Sequence, residues 1–556
     1  MAMKKLFSAT MITALGALCA SAADVSFFGS STAEGAYEWS STTKNQPWAN
    51  GTMATIGDEA VWKGIDGKTA AAGYVIFDGT REIGAIKVSG GGGIGSDLHL
   101  IFSEEKNSVL NFSKDISFFN LNTHYADLYF DGTGEINFTH ATTSGFALTT
   151  TNATSKNAKV VFDTGIKFNN ASVFYGNGQG SENSQLLFKG ETNFKSYMQL
   201  SNIKFSLDGS TKKLVRGDIA AAGDSIVEFT NGANVQTYGG YKGRGASVIN
   251  IDSASSYTLN NANYFYVGTA NEHSATANIW GTVNAATSTL KGTGAATFNL
   301  KEGGKATFKT VSFSDGASNM KMNIDGAMNV SGEFSTDSNN DMVVGKTGTL
   351  AVDGLFLITG NLTTAAGRIS TTFNSTGNEL NGNIKMNEFG GFRVNADNKW
   401  NSSVLFRGGR TQFAVGKDAT FEINSLLSIS SISGKSSTIT LDDGALLIVG
   451  NIKGSATVGS EVYVGFGELG DAISNSLDIV GFEEKSVLFR AIGTDEENAK
   501  FLSKVLIDGA KNDALRFGEL DSVAGGYWLT TVPEPAEWAA IFGAIALGLA
   551  VYRRRK

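Results

Sequence analysis

The chain has 556 residues, of which 68 are glycine and only 3 proline; charged residues make up 18% and the formal net charge is −8. That acidity argues against nucleic acid as a partner, because neutralising phosphates needs a basic surface. Cys19 is the only cysteine, so a disulfide framework and a cysteine-based metal centre are both excluded.

Lys4 and Lys5 open the chain, Leu6 to Ala20 runs apolar without a charge, and Ala20-Ser21-Ala22 follows. This order of parts predicts a secretory signal peptide over residues 1–22, with Ala20 and Ala22 as the small residues that signal peptidase reads. Leu18 is too large to precede a lipoprotein cysteine, so Cys19 leaves with the signal. The two chain ends hold six of the basic residues and two of the acidic ones, so the body between them is more acidic still, near −12.

At residues 39–90, Trp39 and Trp48 precede Gly57-Asp58-Glu59-Ala60-Val61-Trp62 and Ile83-Gly84-Ala85-Ile86-Lys87-Val88. This stretch resembles the autotransporter-associated β-strand repeat, a resemblance that implies a β-helical body. The pattern departs from autotransporters at the C-terminus, where no membrane β-barrel is readable. Gly92-Gly93-Ile94-Gly95-Ser96-Asp97 fits the start of a calcium-binding nonapeptide. Such repeats share calcium between adjacent turns, and a single copy followed by His99 lacks half the ligands.

From there to about residue 530 apolar and polar residues alternate. Leu98, Leu100 and Phe102 do so, as do Ile136 and Phe138, Met320, Met322 and Ile324, Met328 and Val330, and Ile439 and Leu441. A period of two puts each set on one face of a strand. Turn pairs separate the runs: Asp66-Gly67, Asp78-Gly79, Asp131-Gly132, Asp208-Gly209, Asn231-Gly232, Asp325-Gly326, Asp353-Gly354 and Asp443-Gly444. These dipeptides tolerate the positive φ of tight turns, and short strands with frequent turns predict an all-β body.

A loose repeat chooses among all-β folds. Gly294 leads into Ala296-Thr297-Phe298, Gly304 into Ala306-Thr307-Phe308, and Gly416 into Ala419-Thr420-Phe421. Stacked copies of such a unit make an elongated right-handed β-helix, with Ser, Thr and Asn laddered along it. At roughly 20 to 30 residues per coil the body, residues 23–530, would make about 20 coils. Tandem sandwiches are the alternative, but they call for linkers that are not evident here. Thr494 and Glu497 form a capping box before Ala499, Phe501, Leu502 and Val505, which predicts a short helix capping the last coil.

Residues 531–556 close the chain. Val532-Pro533-Glu534-Pro535 precedes an apolar run from Trp538 to Tyr552, and Arg553, Arg554, Arg555 and Lys556 end it. The run predicts a transmembrane helix, though it is short of the roughly 20 residues that spanning usually takes, with the four cations held in the cytoplasm and the body outside. The three parts in this order resemble the PEP-CTERM sorting signal of Gram-negative bacteria. That resemblance implies an exosortase as partner, with Pro533, Glu534 and Pro535 as its recognition element and only transient contact with the inner membrane.

No chemistry stands out in between. His99, His124, His140 and His273 are not at metal-ligand spacing, and Gly345-Lys346-Thr347 and Gly434-Lys435-Ser436 lack the preceding glycine of a phosphate loop. No catalytic, metal or cofactor set is readable. The expectation is a non-enzymatic cell-surface or extracellular-matrix protein, structural or adhesive, associated with surface exopolysaccharide. A β-helical polysaccharide lyase or hydrolase is the alternative, and a groove with close carboxylates or facing Lys and Arg would favour it.

Overall fold

A computed structural model describes residues 24–554 apart from 42–46, 50, 56–57, 66–71, 89–96, 115–126, 149–157, 179, 181, 183, 262, 314–318, 338, 360–367, 431–435, 466–475 and 532–534. The expected signal peptide lies outside the described residues. Strands account for 56% of the structure and helix for 5%, forming a β-solenoid, as the alternating pattern requires. The coils number about 16 rather than 20. They group into two compact units, Met1–Tyr241 with Ala246–Thr258, and Lys242–Gly245 with Leu259–Lys556.

In the first unit, from Thr143–Leu148 onward, each strand pairs in parallel with the third strand after it. Ser184–Phe188 pairs with Lys204–Asp208 and that with Ile226–Thr230. Thr192–Phe194 pairs with Lys212–Val215, and Met198–Ser201 with Ile219–Ala222. A coil therefore has three sides, and Ser206 meets Glu228 one coil on, 22 residues later. In-register stacking places like residues over like. Phe130 stacks on Phe162 at 4.8 Å and Phe162 on Phe188 at 4.3 Å, both nearly parallel. Such pairs add about 0.5–1.5 kcal/mol each beyond their burial.

The first coils begin on a separate parallel sheet of Asp24–Gly29, Glu59–Ile65 and Ala85–Val88. It covers a box of Phe27, Trp39, Trp48, Trp62 and Phe77, all buried, in which the Trp48 indole donates to the Trp39 carbonyl at 2.6 Å. The tryptophans of the repeat-like segment thus close one end of the core.

In the second unit one face runs through Thr276–Ile279, Thr297–Leu300, Lys321–Ile324, Asp341–Val344 and onward to Val505–Ile507, parallel throughout. Phe298, Phe308 and Phe421 of the loose repeat are all fully buried. Coil length varies: Lys321 pairs with Asp341, whereas Ser437 pairs with Leu477. The longer coil carries an antiparallel hairpin, Ser455–Val458 with Glu461–Val464. Glu461 fastens it to the coils through Lys385 at 2.6 Å and Arg407 at 2.7 Å, and accepts from the Tyr463 hydroxyl at 2.6 Å.

The expected ladders are present. Asn137 donates to Asn111 and Asn169 to Asn137 on the first unit, and Asn299 to Asn278 and Asn323 to Asn299 on the second. The turn pairs divide into two kinds. Gly79, Gly132, Gly209, Gly232 and Gly444 take positive φ. Gly326 and Gly354 do not; they are glycine because coils touch at the corner. A Cβ on Gly354 would fall 2.9 Å from the Gly332 Cα and closer still to its carbonyl.

The stack ends as expected, with one correction. The Asp495–Leu502 helix has its capping box, Thr494 N donating to Glu497 at 2.7 Å. Of the four apolar residues expected on its inner face, Phe501 is buried in the helix and packs on Phe489 and Phe517. Ala499 is exposed and Leu502 half-buried, while Val505 belongs to the next strand. The pairings Val505–Ile507 with Ala510–Lys511, Val487–Phe489 with Gly526–Thr530, and Arg516–Asp521 with Gly526–Thr530 are antiparallel. This reversal covers the ends of two faces, Val505–Ile507 and Val487–Phe489, with antiparallel strands.

The tail forms one helix, Pro535–Arg554, with Arg553 and Arg554 in its last turn. Among the described residues no helix is long and apolar enough to cross a membrane. Pro533, Glu534, Arg555 and Lys556 lie outside the described residues.

Candidate functional site

A polar recess lies in the first unit, where the Leu128–Phe138 strand turns from one side of the coil to the next. Its first half pairs with Asp97–Phe102, its second with Val109–Phe112 and Gly165–Asn170. Gly132 makes the bend with φ +83°. A Cβ on Gly134 would lie 2.6 Å from the Ser108 carbonyl, so glycine is what lets these coils meet. The turn before Val109 is pinned by Ser103 N donating to Ser108 Oγ at 2.9 Å. Between turn and corner opens a cleft of about 250 Å³ lined by Glu104, Asn107, Ser108, Thr133, Glu135 and Lys167.

Glu135 and Lys167 are register partners on adjacent coils. Ile136 and Ile166 beside them point inward, so both charged side chains point out, roughly one 4.8 Å strand spacing apart. The cleft thus offers two carboxylates, one ammonium, an amide and hydroxyls. It can accept hydrogen bonds from a polyhydroxylated ligand and donate to it, and it holds the groups that acid–base chemistry on a glycan would use.

The preceding side of the same strand is built differently. Tyr74, His99 and Tyr129 stack across successive coils, with ring centroids 4.8 and 4.4 Å apart, and His99 Nδ1 lies 2.6 Å from Asp131. Asp97 accepts from the Asp127 amide at 2.9 Å, and Asp127 accepts from the Lys159 amide at 2.9 Å and the Tyr129 hydroxyl at 3.1 Å. Burial raises the Asp127 pKa, and the Asp97 charge adds to the rise. Each carboxylate caps the backbone of the next coil, a structural task.

Most residues singled out by sequence are not brought together. Asp97 opens a strand, while Gly92 to Ser96 of the calcium-like motif lie outside the described residues, as do Ala20, Ala22, His124, Gly434 and Lys435. His140 and His273 accept from Thr142 N and Thr269 N within their own turns. Thr347 donates to the Asp325 carbonyl of the coil before, as a corner residue does. Among the described residues no three His, Cys, Asp or Glu side chains are placed to hold a metal ion. Glu104, Glu135 and Lys167 had no sequence signal; knowing that Glu135 and Lys167 sit one coil apart would have paired them.

Fold and cleft together define a class: a three-sided parallel β-solenoid with a polar corner recess. No protein-family model matches the chain, and no curated protein or solved structure matches it significantly.

Proposed function

We propose that this is an exported, non-enzymatic protein of the cell surface or extracellular matrix, sorted by an exosortase and associated with exopolysaccharide. The observation that carries the reading is the repeated polar ladder. Outward amides recur on three successive coils in each unit, Asn111, Asn137 and Asn169 in the first and Asn278, Asn299 and Asn323 in the second. Repetition converts weak contacts with a repeating polymer into avidity. The coils wind right-handed, as parallel crossovers do. The ends of the chain support export: the signal-like residues 1–22 with Ala20 and Ala22, and the tail with Pro533, Glu534 and Pro535. In the tail helix Ile545, Leu547 and Leu549 are exposed, which suits lipid or an exosortase better than water. Arg553, Arg554, Arg555 and Lys556 hold its end in the cytoplasm until sorting. The test is incubation of the purified protein with the host's exopolysaccharide. Retention on the polymer without new reducing ends or unsaturated uronates supports the reading, and no retention sinks it.

A second reading, a glycan-processing enzyme, is favoured by one observation, the cleft with Glu104, Glu135 and Lys167. Products that form with the native protein and vanish in Glu135→Gln would establish it.

A further inference from the structure

The outward side of the second unit carries an aromatic pair that core packing does not use. On the Tyr264–Val267 strand, Phe265 and Val267 are buried, and Tyr264 and Tyr266 point the other way. Tyr264 is 49% exposed, and the two rings lie 6.2 Å apart at 59°. Tyr266 is half-buried, and exposing Tyr264 forgoes the burial that a large aromatic ring otherwise gains.

The next coils extend this pair into a strip. Tyr264 is in register with Thr289 and Tyr266 with Lys291; Thr289 is followed by Thr310 and Lys291 by Ser312. Leu290 and Val311 between them are fully buried, so Thr289, Lys291, Thr310 and Ser312 all face out. Two columns therefore run from coil to coil past the rings, Tyr264 with Thr289 and Thr310, and Tyr266 with Lys291 and Ser312. The Lys291 ammonium sits 5.5 Å over the Tyr266 ring. Among the described ion pairs Lys291 has no carboxylate partner, so its charge is available beside the rings.

We propose that this strip binds a segment of acidic polysaccharide, with a uronate unit as the recognised group. The apolar face of a pyranose stacks on Tyr264, its carboxylate pairs with Lys291 Nζ, and neighbouring hydroxyls bond Thr289, Thr310 and Ser312. The rings supply the flat contact that a sugar face needs, and the charge selects uronate over a neutral sugar. Hydroxyls repeated at each coil, about 4.8 Å apart, suit a polymer lying along the coils. The inference rests on the proposed association with exopolysaccharide and names its ligand class.

The experiment is affinity electrophoresis of the full chain in non-ionic detergent through gels holding polygalacturonate, or the same polymer fully methyl-esterified. The native protein is expected to be retarded more by the charged polymer. Lys291→Gln is expected to abolish that preference, and Tyr264→Ser to weaken retention by both polymers at least tenfold. Lys301→Gln, a lysine set over Trp280 instead, is expected to behave as native. All these side chains face outward, and unchanged circular dichroism checks that each variant folds. A native protein retarded by polygalacturonate with Tyr264→Ser and Lys291→Gln equally retarded overturns this site and leaves the proposed function standing. A preference for the esterified polymer overturns the role of charge. A native protein retained by neither polymer but by the host's exopolysaccharide overturns the ligand class, and one retained by none overturns the proposed function as well.

Discussion

Lys213 is fully buried, at 0% exposure, on a coil of the first unit. Its Nζ donates to the Lys189 carbonyl at 2.8 Å, to Thr211 Oγ1 at 2.5 Å and to the Gly190 carbonyl, with Asp208 and Glu191 as the charges that oppose the shift. Burial pushes its pKa down from 10.5 to about 8. The unfolded chain therefore holds this proton over a range where the folded one has released it, and stability rises with pH across that range. Below pH 8 the buried ammonium carries its full desolvation penalty; above pH 10.5 both states are neutral. At 1.36 kcal/mol per unit, the gain between pH 7.5 and 9.5 is about 2 kcal/mol. Lys213→Met removes the titrating group and keeps the volume. Urea denaturation of both proteins at pH 7.5, 8.5 and 9.5, followed by circular dichroism, gives the difference directly. The buried tyrosines Tyr241 and Tyr257, whose pKa values burial raises, are common to both proteins and cancel in the difference. A native-minus-variant difference that stays flat across the window would refute the reasoning. It would mean that three neutral acceptors replace bulk water for this ammonium.

Gly354→Ala places a Cβ against Gly332 of the preceding coil, and overpacking of this kind is expected to lower stability by about 2 kcal/mol in a denaturant titration. Glu461→Gln is expected to speed proteolytic cleavage of the Ser455–Val464 hairpin several-fold. Lys385 and Tyr463 hold the Glu461 pKa below 4.5. Its contribution is therefore present above pH 4.5 and lost as pH falls through the lowered value, so native and variant should converge in acid. Replacing Arg553, Arg554, Arg555 and Lys556 with neutral residues is expected to weaken membrane retention of the precursor. Fractionation that finds retention unchanged would contradict the sorting role of the tail.

The repeating parts of the fold were legible because their causes are local. Leu98, Leu100 and Phe102 alternate and all three are buried, and the capping box at Thr494 and Glu497 formed as spaced. What was illegible depends on coil length, which is irregular here. Asp325-Gly326 and Asp353-Gly354 read as turns, but their glycines answer to the neighbouring coil at Gly304 and Gly332. Lys212 and Lys213 are adjacent and chemically alike, yet one is exposed and the other buried, because the strand's phase decides. Glu135 and Lys167 stand 32 residues apart and meet only through register. The Glu461 clamp required knowing that a hairpin folds back across the coils to Lys385, 76 residues earlier.

The uneven coils bear on how such a sequence can change over generations. From Lys321 to Asp341 a coil closes within 20 residues, and from Ser437 to Leu477 the same side is regained after 40. The strands on either side keep their register, so the coil lengthens between them, as in the hairpin whose Tyr463 is buried. Closing a longer corner loop costs only about 0.6 kcal/mol per doubling. Mutation can therefore lengthen, shorten or replace what the protein presents to its surroundings one corner at a time, while the buried phenylalanine columns stay under unchanged constraint. The outer face is free to diverge where the inner one is not.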